Sequence, residues 1–327
     1  MKVLYAVQAT GNGHLSRAIE ITPYLQELAD VDILLSGIQS DIRLNFPIRF
    51  RKYGLSFIFG KQGNIDLLRT AKSLKPMRLI YDIMTIDLDD YDLIINDFEP
   101  ITAWACKIRG RKCVSLSHQA SFRSDLTPRP KQKSLWAEKI LQLYAPSTEY
   151  IGLHFKSYDE NIRTPIIRSE IRNLNVSDKG HVTVYLPAYS KDFLISTFQK
   201  VKEVNFKVFV KGEKQKSVHG NVEVFPVGSE DWLEAFSSAH GAIMGAGFEG
   251  PSEALHLGKK LMVLPMTDQY EQVCNAVALE EMGVHVTRKI KSTFSSQIKY
   301  WLKQDEMERY DFPFHSNTLV ENILKMA

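Results

Sequence analysis

Residues 239–285, AHGAIMGAGFEGPSEALHLGKKLMVLPMTDQYEQVCNAVALEEMGVH, decide the fold. Ala242-Ile243-Met244 reads as a short buried strand, and Gly245, Gly247 and Gly250 follow it. Glycines there let the backbone turn tightly and approach a ligand with no Cβ in the way. Pro251 and Ser252 suit the opening of a helix, which places Glu253 in its first turn. That turn lies at a strand's carboxyl end, where open α/β sheets bind ligands. Leu261 to Leu264 forms the next strand, stopped by Pro265. A polar loop, Met266 to Gln272, then leads to a helix carrying Asn275 and Ala276.

Outward from this unit, the N-terminus repeats the arrangement. Val3 to Val7 is a continuous apolar run of the kind buried in parallel sheets. Gln8 to His14, QATGNGH, is a glycine loop, and Leu15 to Leu28 has helical periodicity. Strand, glycine loop and helix is a phosphate-binding arrangement, although Gly11-x-Gly13 lacks the third glycine of the dinucleotide fingerprint. A third such unit starts at His181 to Leu186, followed by the turn Pro187 to Lys191. Further strands are expected at Val31 to Ser36, Tyr91 to Ile95, Val114 to Leu116, Tyr150 to Phe155, Asn205 to Val210, Val222 to Phe225 and Val284 to Thr287. Helices are expected at Ile101 to Ile108, Asp231 to Ser238, Thr293 to Gln304 and Ser316 to Met326. Phe46 to Phe59 alternates like a strand, and Ile65 to Ile83 reads as helical with Pro76 kinking or splitting it.

At 327 residues the chain is long enough for two cores, since single cores stop growing near ~250–300 residues. A net charge of +3 is too small to argue for nucleic acid. Cys106, Cys113 and Cys274 lack metal-ligand spacing, which points to a reducing compartment. Asp30-Val31-Asp32 has the spacing of a metal-binding pair but sits at a helix–strand junction, where aspartates are ordinary turn residues. No apolar run approaches the ~20 residues of a membrane span, and VLYAV begins too early to follow a signal peptide.

The order Glu253, Gly258, Pro265, Glu271-Gln272, Asn275-Ala276 and Gly283 resembles the nucleotide-sugar signature of GT-B glycosyltransferases. It is similar to the lipid-linked N-acetylglucosaminyltransferase of peptidoglycan synthesis, the galactolipid synthases and a group of largely uncharacterised predicted glycosyltransferases. GNGHLSRA resembles the glycine-histidine loop at the start of the first two groups. The resemblance implies an α/β protein with two doubly wound, Rossmann-like domains facing across a cleft. The expected divisions are an acceptor domain at residues 1–165, a donor domain at 175–312 and a returning C-terminal helix at 313–327, with Asn161 to Ser177 as linker. The implied activity is inverting, metal-independent transfer of a sugar from a nucleoside diphosphate, UDP in the named relatives, to a hydroxyl of a glycan or lipid-linked acceptor. No cofactor is implied.

The resemblance assigns Glu253 to the ribose hydroxyls and Glu271-Gln272 to the donor sugar, in preference to Asp268-Gln269. A carboxylate accepts from two vicinal hydroxyls, which suits the first role. His14 is the expected base, because imidazole titrates near neutrality and can take the acceptor's proton. Gly11 and Gly13 are expected under the diphosphate, with Ser190, Gly247 and Phe248 as further donor contacts, although the turn here is PAYS where relatives are rich in Gly and Ser. Asp97, Glu99 and His118 lie at strand ends and are candidates for acceptor contact or an alternative base, with a helix cap the plainer role for the carboxylates. The basic segment 123–140, with Leu135, Trp136, Ile140 and Leu141 at helical spacing, can rest on an anionic membrane. The expected location is cytoplasmic, peripheral at the inner face of the membrane. Two other functions fit the scaffold: a UDP-sugar 2-epimerase, which needs several carboxylates such as Asp97, Glu99 and Glu271 around the sugar, and a nucleotide-sugar-binding protein without turnover.

Overall fold

The structure is a computed structural model and describes residues 1–37, 46–55, 75–305 and 308–327. The expectations for 56–59 and 65–74 lie outside the described residues. The N-terminal half runs β1 (Lys2–Gln8), α1 (Asn12–Leu28), β2 (Asp30–Ser36), β3 (Phe50–Lys52), α2 (Pro76–Thr85), β4 (Leu93–Asp97), α3 (Pro100–Arg109), β5 (Val114–Ser117), α4 (Leu135–Tyr144), β6 (Glu149–Leu153), β7 (Ile162–Arg163) and α5 (Ser169–Arg172). The C-terminal half continues with β8 (Val182–Tyr185), α6 (Lys191–Phe198), β9 (Phe206–Val210), β10 (Ser217–His219), β11 (Val222–Pro226), α7 (Asp231–Ser237), β12 (Gly241–Gly245), α8 (Glu249–His256), β13 (Lys260–Leu264), α9 (Tyr270–Glu281), β14 (His285–Val286), α10 (Phe294–Lys303) and α11 (Ser316–Leu324).

The first sheet has the order β3-β2-β1-β4-β5-β6-β7 and is parallel throughout. The second has the order β10-β11-β9-β8-β12-β13-β14, parallel except for the edge strand β10. In each, the order reverses beside the half's first strand, between β1 and β4 and between β8 and β12. Those reversals open crevices at the strands' carboxyl ends. Val3 to Val7 is wholly buried because helices cover both faces of β1. One buried apolar cluster runs through both halves, from Val7 and Leu15 to Met244, Phe248 and Ala254, and includes Leu319, Val320 and Ile323 of α11. Tyr24 of α1 meets Phe314 edge to face at 5.9 Å, just before α11.

Several boundaries differ from expectation for local physical reasons. Helix α1 starts at Asn12, three residues before Leu15, because Gly11 at its N-cap takes φ 108° and turns the chain straight out of the loop. Helix α8 starts at Glu249, so Pro251 and Ser252 are inside it and Glu253 belongs to the second turn. Pro76 opens α2, where its missing N–H costs nothing in a first turn. The linker is more ordered than its composition indicates. β7 pairs with β6, and Ser169 donates to Glu20 of α1 through its N–H and hydroxyl at 2.8 and 2.9 Å.

Candidate active site in the interdomain cleft

A cleft of about 2220 Å³ separates the two halves. Gly11, Gly13, His14, His118, Ser190, Gly247, Phe248, Glu253, Glu271 and Gln272 all line it, so His14 and Glu253 face one space. Asp97 and Glu99 are fully buried and are not among its lining residues.

His14 stands in the first turn of α1, with its Nδ1 2.7 Å from Asp97 Oδ1. Nδ1 also lies 3.1 Å from Arg17 Nη2, but the contact with the carboxylate is the shorter and an ionised carboxylate only accepts, so in the neutral ring Nδ1 carries the proton and donates, leaving Nε2 with a lone pair. Arg17, one turn further along α1, holds the same carboxylate as a fork: Nε donates to Oδ2 at 2.8 Å and Nη2 to Oδ1 at 2.7 Å. Burial raises the Asp97 carboxyl, but Arg17 and His14 outweigh it and hold Asp97 below the ordinary carboxylate value. The third guanidinium donor, Nη1, pairs with Glu249 at the start of α8. Burial, opposed by Arg17 and reinforced by Glu253 and Asp97, pushes Glu249 up to about 7.

The residue after Asp97 is strained. Phe98 has φ 56°, a region costing a bulky side chain about 1–3 kcal/mol. Asn96 holds the turn by donating to the Glu99 carbonyl at 2.7 Å and accepting from the Glu99 N–H at 3.0 Å. The turn brings the Phe98 ring against Tyr144, 4.6 Å between centroids, and parallel to His14 at 6.3 Å. Phe98, Ala137, Ile140, Leu141 and Tyr144 give the His14 side of the cleft an apolar wall.

The other three N-terminal candidates resolve differently. Glu99 is a helix cap, accepting from the N–H groups of Ile101 and Thr102 at 2.8 and 2.7 Å and from the Thr102 hydroxyl at 2.8 Å. It makes no acceptor site. His118 is not placed as a base. Its Nδ1 faces the Leu153 carbonyl and its Nε2 faces Asn275 Oδ1, each at 2.8 Å, and only 1% of it is exposed. Its ring stacks on Phe248 at 4.1 Å, so both aromatic residues tie the halves together. Asp97 orients His14 and does not reach the cleft surface.

On the opposite wall, Glu253 is held by Arg168, whose Nε and Nη2 donate to its two oxygens at 2.7 and 3.1 Å. A solvated arginine is the commoner fate of such a linker residue; here Arg168 stands at the start of α5 and is 18% exposed at its side chain. Each Glu253 oxygen keeps a lone pair for a further donor. The N-termini of α6 and α8 open on the same space. Ser190, the α6 N-cap, makes no side-chain cap bond, and no atom lies within 4 Å of where a Gly247 Cβ would be. Gly13 lines the cleft, and its Cβ position lies 3.1 Å from Glu249 Cγ, so its smallness also admits Glu249. Glu271 accepts from Gln119 at 2.9 Å, and Gln272 accepts from the Met266 N–H at 3.0 Å and donates to Gln269 at 2.6 Å. Asp268 and Gln269 line the cleft too, so geometry alone does not separate the two pairs. Deeper in this half, Tyr185, Phe209, Val227 and Trp232 form an apolar end.

Arg17 and Glu249 went unnoticed in the sequence. Arg17 lies at i+3 from His14 and Glu249 at i−4 from Glu253, spacings that put each pair on one helix face. The epimerase alternative loses two of its three carboxylates: Asp97 is tied to His14 and Arg17 and Glu99 to a helix end, while Glu271, which accepts from Gln119, still lines the cleft.

The family profile described as glycosyl transferase family 1 matches residues 1–304. No curated protein matches the chain in sequence. Among solved structures, MurG of Acinetobacter baumannii is similar at 13% identity and TM-score 0.60, covering 99% of each chain. UGT89C1 of Arabidopsis thaliana complexed with UDP is similar at 13% identity and TM-score 0.61, covering 99% of this chain and 94% of that one. The spinosyn forosaminyltransferase SpnP is similar at 13% identity and TM-score 0.57, over 100% and 95%. These likenesses show the fold, the two facing domains of GT-B enzymes.

Proposed function

The chain belongs to glycosyl transferase family 1, and within it we propose an inverting, metal-independent transfer from a nucleoside-diphosphate sugar, UDP as donor nucleotide, to an acceptor hydroxyl. The observation that carries this reading is the pairing of His14 with Asp97 on one wall of the cleft that Glu253 lines on the other. His14 Nε2 takes the acceptor's proton as its oxygen attacks the anomeric carbon from the face opposite the leaving diphosphate. Asp97 holds the imidazole in the required tautomer and stabilises the imidazolium that forms. Negative charge builds on the diphosphate, and N–H groups at the starts of α6 and α8, with the Ser190 hydroxyl, stabilise it. Glu253 accepts from the ribose hydroxyls, and Tyr185, Phe209 and Trp232 enclose the nucleobase. Glu271 and Gln272 face the donor sugar. UGT89C1 was crystallised with UDP and with UDP-L-rhamnose, which supports the choice of nucleotide.

The deciding experiment is a donor panel of UDP-, GDP- and dTDP-sugars read by thermal shift and by nucleoside diphosphate release. UDP is expected to stabilise the protein, and slow release of UDP from one UDP-sugar marks transfer to water. Glu253→Ala is expected to weaken UDP binding by about 10- to 100-fold, the worth of hydrogen bonds to a charged group. An unchanged UDP affinity in this variant removes Glu253 from the donor site; release of a changed sugar with its diphosphate intact marks an epimerase.

The acceptor we propose is lipid-linked and met at a membrane surface. No described helix is long and apolar enough to cross a membrane. Helix α4 has no buried residue, and Leu135 and Trp136 are 75% and 79% exposed. Lys131, Lys133 and Lys139 neighbour this face, while Ala137, Ile140 and Leu141 on the same helix line the cleft. Burying an exposed Trp or Leu in lipid is worth about 1.5–3 kcal/mol each. Binding to phosphatidylglycerol vesicles in a flotation assay is therefore expected, with Leu135→Ser and Trp136→Ser together lowering it by at least about ten-fold. Equal flotation of the variant, or none by the wild type, refutes membrane docking through this face.

A further inference from the structure

An unbroken line of polar contacts crosses from one half of the molecule to the other. His14 Nδ1 donates to Asp97 Oδ1 at 2.7 Å, Arg17 donates to both Asp97 oxygens, and the remaining Arg17 donor, Nη1, pairs with Glu249. Arg17 is 3% exposed and Asp97 fully buried. Arg17 belongs to the helix that carries His14, and Glu249 to the helix whose start opens on the donor side of the cleft. Gly13 is the residue that lets the halves meet here, since a Cβ would press on Glu249 Cγ at 3.1 Å.

We propose that Arg17 is a positioning residue that links the two domains: with Glu249 seated against it, Arg17 holds Asp97, and through Asp97 the imidazole of His14, in the orientation the reaction needs. The inference rests on the reading of His14 as the base. A planar guanidinium with two donors on one carboxylate leaves that carboxylate a single orientation. The third donor is then free to read the opposite domain. When Glu249 withdraws, a buried Nη1 has lost its acceptor, and the guanidinium must turn toward another. Asp97 then loses its fork and His14 its fixed tautomer. The base is thus complete only when the halves are closed, the state in which water is kept from the donor.

Glu249→Gln tests this, because the amide keeps the shape and removes the charge. UDP affinity is expected to stay within about three-fold of wild type while kcat falls about 10- to 100-fold, the usual effect of a misaligned reacting group. In protein labelled with ¹⁵N-histidine, the His14 Nδ1–H resonance is expected to be sharp in the wild type and to broaden or vanish in the variant. Arg17→Lys is expected to act in the same direction and more strongly, since an ammonium cannot reproduce the fork. Arg17→Met leaves Asp97 and Glu249 with no cation and risks unfolding, so Glu249→Gln is decisive. An unchanged kcat together with an unchanged His14 resonance overturns the proposal. So does a loss of UDP affinity with kcat kept, which makes Glu249 a donor contact instead. Should the wild type turn over no donor at all, the reading of the reaction fails by itself, and the resonance alone decides whether Glu249 holds His14.

Discussion

Replacing His14 by alanine is expected to lower kcat by about 10²–10⁴-fold, the range that general base catalysis contributes, and to leave UDP affinity within about two-fold. The separation follows from placement. His14 enters the cleft from the N-terminal half, and its partner Asp97 also belongs to that half. The groups proposed to hold the nucleotide, Glu253 and the starts of α6 and α8, belong to the other half. Alanine also frees Asp97 Oδ1 from one donor, but Arg17 keeps two bonds to that carboxylate, so the fold is expected to survive. The measurement is steady-state transfer with UDP binding followed by calorimetry. Full activity in this variant places the base elsewhere.

Asp97→Asn is expected to be nearly as damaging to turnover and more damaging to the fold. An asparagine can turn its amide N–H₂ toward His14, which then accepts at Nδ1 and carries its proton on Nε2, the tautomer that cannot act as a base. The loss in kcat is expected to be about 10²–10⁴-fold. The same change strips Arg17 of its main counter-charge in a buried site, and breaking such a pair costs about 3–5 kcal/mol. The pH dependence has a definite sign. The folded Asp97 carboxyl lies below its ordinary value, so its contribution to stability is present above the unfolded pKa and is lost as pH falls through the folded one. The gap in melting temperature between wild type and Asp97→Asn is therefore expected to hold steady from about pH 6 to 9 and to narrow below about pH 4. A gap that widens in acid contradicts the assignment.

The parts readable from sequence were those written in local pattern. The run of apolar residues at Val3 to Val7, the turn glycines after it and the repeat of both around Ala242 to Gly250 announce buried parallel strands feeding helices. Edge strand β10, three residues long and half exposed, carries no such pattern and was missed. Helix starts shifted by two or three residues where a glycine or an acidic residue opened the helix ahead of the proline or leucine that marks it in sequence.

Sequence alone determined that two strand–glycine–helix units would each present a helix start at a strand's carboxyl end, one with His14 and the other with Glu253. Tertiary structure decided what those side chains touch. His14 meets Asp97 across 83 residues, Arg168 meets Glu253 across 85, and Arg17 meets Glu249 across 232. Periodicity reports only which face of an element is buried, because it arises from the geometry of one helix or strand. An ion pair between distant elements depends on how two sheets stack and on which charges burial forces together, and neither leaves a trace in the order of neighbouring residues.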